Sequence, residues 1–240
     1  MNIKNKIIIV TGASAGIGLS LAKLLSIKEA KVVMAARSSD TLKKLEKEIP
    51  NSYAITTDMR NVDDVKNLIK ETKKKFGRVD ILINNAGQGL RSPVENINID
   101  EYRDILELNV IAPVLAMQEV IPMMRAQGGG MILNISSLVS KNYFPELAAY
   151  ASTKYALNAI SLTAREELKK DNIVVSVFHP KMTATDFGKN SKGTPYVSAA
   201  GRPGMQADSP EIVAEEIIKQ IESEVAEVGM QDAVFKGYSS

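Results

Sequence analysis

The chain has 240 residues, of which 45% are hydrophobic and 24% are charged. This composition is typical of a folded protein with one sizeable core and excludes a disordered or collagen-like chain. The 30 Lys and Arg residues and 28 Asp and Glu residues leave a formal net charge of +2, which indicates no nucleic-acid or membrane surface. With no cysteine and one histidine, the chain lacks the ligands of a structural zinc site, and we expect no bound metal.

Hydropathy along the chain indicates no targeting or membrane segment. The apolar run behind Lys4 and Lys6 covers only residues 7–10, which is shorter than the core of a secretory signal. No other stretch approaches the roughly 18 apolar residues of a membrane span. The sequence therefore predicts a cytoplasmic protein without a membrane partner.

Short β-branched runs alternate with longer amphipathic stretches, an order typical of parallel βα units. Strands are predicted over residues 7–10, 31–35, 52–56, 79–83, 131–135 and 173–178, with 225–230 as a short seventh. Helices are predicted over residues 16–27, 40–49, 62–76, 100–126, 148–170 and 210–223. The fold class is therefore α/β, a doubly wound parallel sheet of six to seven strands with helices on both faces, in one domain over residues 1–240.

Between residues 186 and 210 the regular pattern gives way to Gly, Ser, Lys and Pro. A connection of this length is uncommon between regular elements, and such loops are lids or disordered segments. Because this one follows a strand end, where doubly wound sheets bind ligands, we expect a substrate lid.

The first predicted strand runs directly into a glycine-rich turn that precedes a helix. It reads Thr11-Gly12-Ala13-Ser14-Ala15-Gly16-Ile17-Gly18. Backbone N–H groups and the positive end of the helix would point at the space above the turn, where a pyrophosphate fits. The spacing differs from the commoner Gly-x-Gly-x-x-Gly, and glycines also build plain tight turns, so the turn alone leaves both interpretations open.

The end of the second strand distinguishes the two nicotinamide cofactors. An acidic side chain there binds the ribose 2′-hydroxyl of NAD, whereas an Arg accommodates the 2′-phosphate of NADP. This strand ends in Ala36-Arg37-Ser38, and no acid occurs before Asp40. The residues favour NADP, with a solvated Arg37 at a strand end as the alternative.

Tyr150 and Lys154 are four positions apart on a predicted helix, so both side chains project from one face. A Tyr with an ordinary pKa of about 10 must lose roughly three units to act as a base near neutral pH, and a nearby ammonium lowers that pKa. Ser137 follows the fifth strand at the ligand-binding edge of the sheet, where its hydroxyl can bond a substrate oxygen. Ser136 is expected to point to the opposite face.

Several motifs occur together and in order: Thr11-Gly12-x-x-x-Gly16-x-Gly18, Asn84-Asn85-Ala86-Gly87, Asn109, Ser137 and Tyr150-x-x-x-Lys154. In this combination the chain resembles the short-chain dehydrogenase/reductase family over roughly residues 5–185. The resemblance implies a Rossmann fold, a nicotinamide cofactor, a small carbonyl or alcohol substrate, and a homodimer or homotetramer.

The resemblance also implies a role for each matching position. Tyr150 would be the general acid or base, Lys154 would hold the nicotinamide ribose and lower the pKa of Tyr150, and Ser137 would polarise the carbonyl. Asn109 would hold a relay water, Asp58 would contact the adenine amino group with Met59 beside it, and Asp80 would be structural. The positions implied in cofactor binding are Gly12, Ser14, Gly16, Ile17, Gly18, Arg37, Asp58, Met59, Asn85, Ala86, Gly87, Tyr150, Lys154, Pro180, Met182, Thr183 and Thr185.

Pro113 adds a local reason for the role of Asn109. Four positions beyond Asn109, the proline lacks the N–H that would bond the Asn109 carbonyl in a regular helix. That carbonyl is then free for water. A kink kept for packing alone is the alternative.

The sequence departs from the family pattern after the sixth strand. The family usually reads Pro-Gly-x-x-x-Thr, but a Lys stands in place of the Gly in Pro180-Lys181-Met182-Thr183-Ala184-Thr185. Lys181 is strained if the position needs a positive φ; otherwise it is either a cation that favours an anionic substrate or a solvent-facing side chain, which we favour. His179 is interpreted as structural rather than catalytic. The family's C-terminal stretches are absent from 225–240, so tetramer contacts made there cannot be carried over.

The sequence thus predicts an NADP(H)-dependent oxidoreductase that moves hydride between nicotinamide and a carbonyl or secondary alcohol. The alternatives are an NADP(H)-binding redox sensor or scaffold without turnover and, more weakly, an α/β methyltransferase. The intact Ser137, Tyr150 and Lys154 argue against the sensor or scaffold. A methyltransferase would need neither the Asn-Asn-Ala-Gly segment nor the Tyr–Lys pair. The pocket is expected to be mixed in character, with Phe187, Tyr196, Met205, Gln88, Leu90 and Arg91, the last as a solvated loop charge.

Overall fold

The computed structural model describes residues 1–195 and 207–230. Its strands are β1 (Ile7–Thr11), β2 (Lys31–Ala36), β3 (Ser52–Thr56), β4 (Ile81–Asn84), β5 (Leu90–Arg91), β6 (Gly130–Ile135), β7 (Ile173–His179), β8 (Lys192–Gly193) and β9 (Glu227–Gly229). Its helices are α1 (Gly16–Ile27), α2 (Ser39–Glu48), α3 (Val62–Phe76), α4 (Ile99–Leu106), α5 (Ala112–Ala126), α6 (Ala148–Leu168) and α7 (Pro210–Ser223).

Seven strands form one sheet in the order β3-β2-β1-β4-β6-β7-β9, and every pair in it is parallel. The predicted fold class is confirmed, with β9 as the seventh strand. The chain moves outward from β1 to β3 and then returns to place β4 on the other side of β1. The crevice at this reversal, beyond the carboxyl ends of β1 and β4, is where a doubly wound sheet binds its ligand.

Alternation along the strands divides the core between the two faces of the sheet. Ile8 and Val10 of β1 face one cluster, whereas Ile9 between them faces the other. The first cluster is completed by Leu25 of α1, Leu42 of α2 and Ile217 of α7. The second is completed by Leu68 of α3, Val120 of α5 and Leu168 of α6. Burying each such side chain stabilises the folded state by about 1.5–3 kcal/mol. The helices packed on both faces therefore stabilise the sheet whose carboxyl edge carries the site.

The predicted helix over residues 100–126 is continuous but not uniform. A π-helical turn, Glu107–Ile111, separates α4 from α5, and the Ala112 N–H bonds the carbonyl of Glu107 five residues earlier. Pro113, which cannot donate, follows directly. The whole run Ile99–Ala126 has a mean hydropathy of 1.4 over its most apolar window, the length and composition of a membrane span, although half of that window is buried inside the protein. The core helix of a folded protein passes the same test, and the run contains no 18 consecutive apolar residues.

A small second sheet of two strands was not predicted. Leu90 and Arg91 of β5 pair in parallel with Lys192 and Gly193 of β8. This ladder holds the first part of the predicted lid against the segment that follows β4. Tyr196 and Met205, expected in the same lid, lie outside the described residues.

Candidate active site

The glycine-rich turn between β1 and α1 is held by the segment after β4. Asn85 donates its side-chain N–H to the Thr11 carbonyl at 2.8 Å, and Thr11 Oγ1 accepts from the backbone of Asn85 and Ala86. Gly12 has a φ of +67°, and a Cβ on Gly18 would collide with the Gly12 carbonyl oxygen. The glycines are therefore required by the backbone itself. The side chain of Asn85, expected to line a nucleotide, is used to hold this turn.

The first turn of α1 meets the requirements for binding an anion. Its N-cap residue, Ala15, offers no side-chain acceptor, and the turn carries no acidic residue. Ser14, Gly16 and Ile17 are all partly exposed above it. Uncapped N–H groups at a helix N-terminus in the crevice of the sheet suit the pyrophosphate of a dinucleotide, so the residues present fit such a cofactor.

Further candidate residues surround the crevice on the side of β2 and β3. Arg37 is exposed directly after β2. Asp58 is half-buried after β3, where its Oδ1 accepts from the backbone N–H of Arg60 at 3.0 Å. The side chain of Met59 points into the core and is 5% exposed, so only its main chain is available to a ligand.

The four predicted catalytic residues converge beyond the ends of β4 and β6. The Ser137 hydroxyl lies near enough to the Tyr150 hydroxyl to lower the pKa of the tyrosine. Lys154 is buried, donates from Nζ to the Ile135 carbonyl at 2.9 Å and lies 5.9 Å from the centre of the Tyr150 ring. Gly87 borders the group, since a Cβ built on it would lie 3.6 Å from Lys154 Nζ and 3.2 Å from Asn109 Oδ1.

Burial shifts the pKa values of Tyr150 and Lys154 in opposite directions. Burial raises the pKa of the Tyr150 hydroxyl well above 10, and the hydrogen bond with Ser137 offsets this only in part. Burial lowers the pKa of Lys154 to about 8. The sequence predicts a lowered pKa for Tyr150, and for the protein alone this is wrong, because desolvation outweighs a lysine whose ammonium is directed at the Ile135 carbonyl.

Asn109 is fully buried in the π-helical turn, and its side chain is engaged with the protein. Its Oδ1 accepts from the backbone N–H of Gln88, and its Nδ2 donates to the Gln88 carbonyl and to Oγ1 of Thr153. The side-chain amide of Asn109 thus pairs with both main-chain groups of Gln88, as a neighbouring strand would, and fixes the segment after Gly87. The proposed bond from its own carbonyl to water stays a prediction.

The segment after β7 crosses the glycine-rich turn. A Cβ built on Gly16 would lie 3.1 Å from Cγ2 of Thr185, so Thr185 covers the anion site beside the buried Pro180 and partly buried Met182 and Thr183. Lys181 has no positive φ and forms an ion pair with Asp208 at 3.0 Å, its side chain being only 17% exposed. The strained and the solvent-facing interpretations of Lys181 are both wrong, because the lysine instead pairs with Asp208, two residues before α7.

The walls next to Tyr150 combine aromatic and polar groups. The Phe187 ring lies 5.6 Å from the Tyr150 ring, and Gln88 donates to the carbonyl of Asn190 at 2.8 Å. Arg91, predicted as a solvated loop charge, is half-buried in an ion pair with Glu146 at 2.6 Å, and that prediction is wrong. Ser136 is buried, with its Oγ 3.2 Å from Oγ of Ser140. Asp80 holds the N–H of Ile7 and the guanidinium of Arg78.

Sequence reasoning missed the residues that hold these walls in place. Glu146, Asn190 and Asp208 each contact a partner distant in the chain, such as Arg91, 55 positions before Glu146. A charge in a loop gives no sign of its partner, so no sequence signal was present. Among residues 1–195 and 207–230, no three His, Cys, Asp or Glu side chains are grouped as for a metal ion.

Comparison with known proteins agrees with this geometry. The family model described as short chain dehydrogenase matches residues 6–195. An uncharacterized oxidoreductase of Staphylococcus saprophyticus is 36% identical over 190 residues, covering 78% of this chain and 77% of the relative. One of Staphylococcus aureus strain MW2 is 33% identical over 183 residues, covering 75% and 79%.

Two solved structures with bound nucleotides have the same fold. A 3-ketoacyl-(acyl-carrier-protein) reductase from Brucella melitensis, complexed with NADH, is 25% identical with a TM-score of 0.87, covering 96% of this chain and 98% of that one. An alcohol dehydrogenase from Thermococcus sibiricus, complexed with 5-hydroxy-NADP, is 25% identical with a TM-score of 0.83, covering 95% and 97%. With its parallel sheet, glycine-rich turn and Ser137, Tyr150 and Lys154 at one edge, the chain belongs to the short-chain dehydrogenase family of oxidoreductases.

Proposed function

We propose that the protein is an NADP(H)-dependent oxidoreductase that interconverts a small carbonyl compound and its secondary alcohol. The observation that carries this proposal is the convergence of three side chains, with Ser137 beside the Tyr150 hydroxyl and Lys154 Nζ 5.9 Å from the Tyr150 ring. This group lies at the same sheet edge as an uncapped helix N-terminus that suits a dinucleotide. The protein therefore has both a place for the cofactor and a proton donor beside it.

The side chains divide the work of carbonyl reduction. The nicotinamide, when bound, supplies the hydride. Tyr150 donates its proton to the carbonyl oxygen, and Ser137 donates a hydrogen bond to the same oxygen as negative charge develops there. Lys154, with a pKa of about 8, is mostly an ammonium at neutral pH and stabilises the tyrosinate left behind. Asn109 fixes the segment at Gln88 and leads the returning proton through a water on its carbonyl.

Arg37 supports NADP rather than NAD. Its exposed guanidinium stands directly after β2, where the 2′-phosphate would lie, and Ser38 rather than an acid follows it. The mixed walls formed by Phe187, Gln88 and the Arg91–Glu146 pair favour a substrate with both apolar and polar parts. We further propose one domain, a lid over 186–210, a cytoplasmic location and a homodimer or homotetramer.

Fluorescence titration tests the cofactor assignment. The chain has no Trp, so the emission of bound NADPH can be followed against a low protein background. Arg37→Ala is expected to lose roughly 10–100-fold in NADPH affinity, as for a lost charged hydrogen bond, and little in NADH affinity. Arg125→Ala, at the opposite edge of the sheet, is the matched control. Equal affinity of the wild type for NADH and NADPH would contradict the assignment.

Turnover tests the catalytic assignment. Wild type and Tyr150→Phe are compared in NADPH oxidation with a panel of ketones and aldehydes. The variant is expected to bind NADPH normally and to lose about a thousandfold or more of kcat, because its ring has no proton to give. Tight NADPH binding with no turnover of any carbonyl would favour the sensor alternative.

A further inference from the structure

The only histidine of the chain, His179, is fully buried at the end of β7, and the proposed chemistry does not use it. Its Nδ1 atom lies 3.2 Å from the main-chain carbonyl oxygen of Ser137 and 3.1 Å from Oγ of Ser140. Its Nε2 atom lies 2.8 Å from Oε1 of Glu227 on β9. One side chain therefore connects the loop that carries Ser137 with the edge strand of the sheet.

The carbonyl of Ser137 is the meeting point of a buried polar cluster. The hydroxyl of Ser140 donates to it at 2.6 Å and accepts from Nδ2 of Asn158 at 2.9 Å. Oγ of Ser136 lies 3.2 Å from the same hydroxyl. Leaving a buried polar group unpaired costs about 1–3 kcal/mol, so these contacts hold the backbone of Ser137 in one position.

The charge on Glu227 determines which ring nitrogen of His179 carries the proton. Burial by itself raises the pKa of Glu227, but hydrogen bonds from Lys141, at 2.6 Å, and from His179 lower it below its usual value. A carboxylate can only accept, so Nε2 of His179 must donate to it. Nδ1 then carries no proton and cannot donate to the Ser137 carbonyl, so the Ser140 hydroxyl, 3.1 Å from Nδ1 and 2.6 Å from that carbonyl, is the donor between the two acceptors. Lys141 and Glu227 are the charged groups that face the ring.

We propose that His179 and Glu227 are a positioning pair, which acts through Ser140 to fix the main chain of Ser137 and so keeps the Ser137 hydroxyl beside Tyr150. The proposal rests on the proposed function, since it assigns the pair to the same catalytic group. The polar cluster ends on the carbonyl of Ser137, the same residue whose hydroxyl lies beside Tyr150. Glu227 lies beyond the residues 6–195 that the family model matches.

Kinetics of four variants test the pair. His179→Leu removes both hydrogen bonds, Glu227→Gln removes the charge, and His179→Asn keeps a polar group near the position of Nδ1. We expect kcat to fall about tenfold in His179→Leu and Glu227→Gln, as for a slightly misplaced catalytic group, while KM and NADPH affinity stay within about twofold. His179→Asn recovers most of kcat.

Lys141→Gln is the matched control, because it removes the exposed ion pair on Glu227 without touching His179. It keeps the wild-type kcat. A purely structural histidine would predict the reverse pattern, a lower melting temperature in His179→Leu with unchanged kcat at a temperature where the variant is folded. That result, or a failure of His179→Asn to recover activity while folded, overturns the proposal.

Nuclear magnetic resonance gives a readout that needs no substrate. A single imidazole yields one pair of ring nitrogen signals, and we expect the form protonated at Nε2. The carbonyl carbon signal of Ser137 moves in Glu227→Gln and His179→Leu and stays in place in Lys141→Gln. An unchanged Ser137 signal overturns the positioning pair even in an active enzyme. A changed signal in a protein that reduces no carbonyl supports the pair and contradicts the proposed function instead.

Discussion

Lys154 lowers the stability of the protein when no ligand is bound. A buried amine with a pKa of about 8, against an ordinary 10.5, is an ammonium held in an unfavourable place. A shift of that size corresponds to roughly 3 kcal/mol at neutral pH. A methionine in its place would recover about 2 kcal/mol of this, because it also gives up the hydrogen bond to Ile135.

We therefore predict that Lys154→Met stabilises the unliganded protein by about 2 kcal/mol at pH 7 while it abolishes turnover. The sign follows from the lowered pKa: the folded state prefers the neutral amine, so the stability that this provides is complete only above 10.5 and is lost as the pH falls through about 8. Urea unfolding at pH 7 and pH 9.5 measures it, and the gain of the variant over wild type should shrink at the higher pH. A less stable variant at pH 7 would contradict the prediction.

Lys181 and Asp208 form an ion pair whose contribution to the free energy of unfolding can be measured. Both side chains are less than a fifth exposed, so removing one partner leaves the other charge poorly solvated. Asp208→Asn is expected to lower the free energy of unfolding by about 1–2 kcal/mol, and a double-mutant cycle with Lys181→Met should return part of that loss. Lys189→Met, which breaks an exposed pair with Asp186, is the control and should change little.

At the scale of single residues, the sequence could predict identities but not partners. Tyr150, Lys154 and Ser137 were found because their residue types and positions carry the chemistry. The partners of Arg91 and Lys181 were not, because tertiary folding brings the opposite charges together. The pKa direction of Tyr150 was wrong for the same reason, since it depends on burial, which a list of residues does not give.

At the scale of elements, the uncapped start of the first helix serves the site, although α2 and α6 also begin without a side-chain cap. The starts of α3, α4 and α7 have side-chain caps, from Asn61, Asn98 and Ser209, whereas α1 begins after Ala15 without one. The orphan N–H groups remain available in the crevice, at a cost to the helix itself.

We predict that Ala15→Asp caps α1, stabilises the unliganded protein by about 0.5–1 kcal/mol and weakens dinucleotide binding at least tenfold, because the new carboxylate occupies and repels the pyrophosphate position. Ala15 has the extended backbone that an N-cap residue needs. Asn61→Asp at α3 exchanges one capping residue for another and is the control for stability and affinity. Unimpaired NADPH binding by Ala15→Asp would contradict an anion site there.

Elements were predicted well where local pattern and tertiary structure agree. β1, the glycine-rich turn and α1 are formed by consecutive residues. Their observed bounds agree with the predicted bounds within about one residue at each end. β5 and β8 were missed because two residues carry no periodicity. The spacing of Asn109 and Pro113 predicts that one helical hydrogen bond is missing. It does not predict which bond replaces it, so the π-helical turn itself was not predicted.

For the molecule as a whole, the buried histidine makes stability depend on pH in a defined window. Burial lowers the pKa of His179 below its ordinary 6.5, and the bonds to Glu227 and Ser137 only partly compensate. The unfolded chain then binds a proton more readily than the folded one.

The stability contributed by this histidine is complete above pH 6.5 and is lost as the pH falls from there through the lower pKa of the folded state. We predict that the free energy of unfolding declines between pH 7 and pH 5 in the wild type and declines less in His179→Asn. Glu227 titrates below 4.5 and does not interfere in this window. Parallel curves for the two proteins, measured by urea unfolding, would contradict a lowered pKa.

The π-helical turn at Glu107–Ile111 fixes the number of residues that can join α4 to α5. Such a turn holds one residue more than an α-helical turn, and each residue advances a helix by about 100°. α5 is thus rotated by that angle from where a regular continuation of α4 would place it. Deleting one residue in this turn would restore α-helical hydrogen bonding but turn Val120 away from the sheet. We therefore expect relatives to have no insertions or deletions in this stretch.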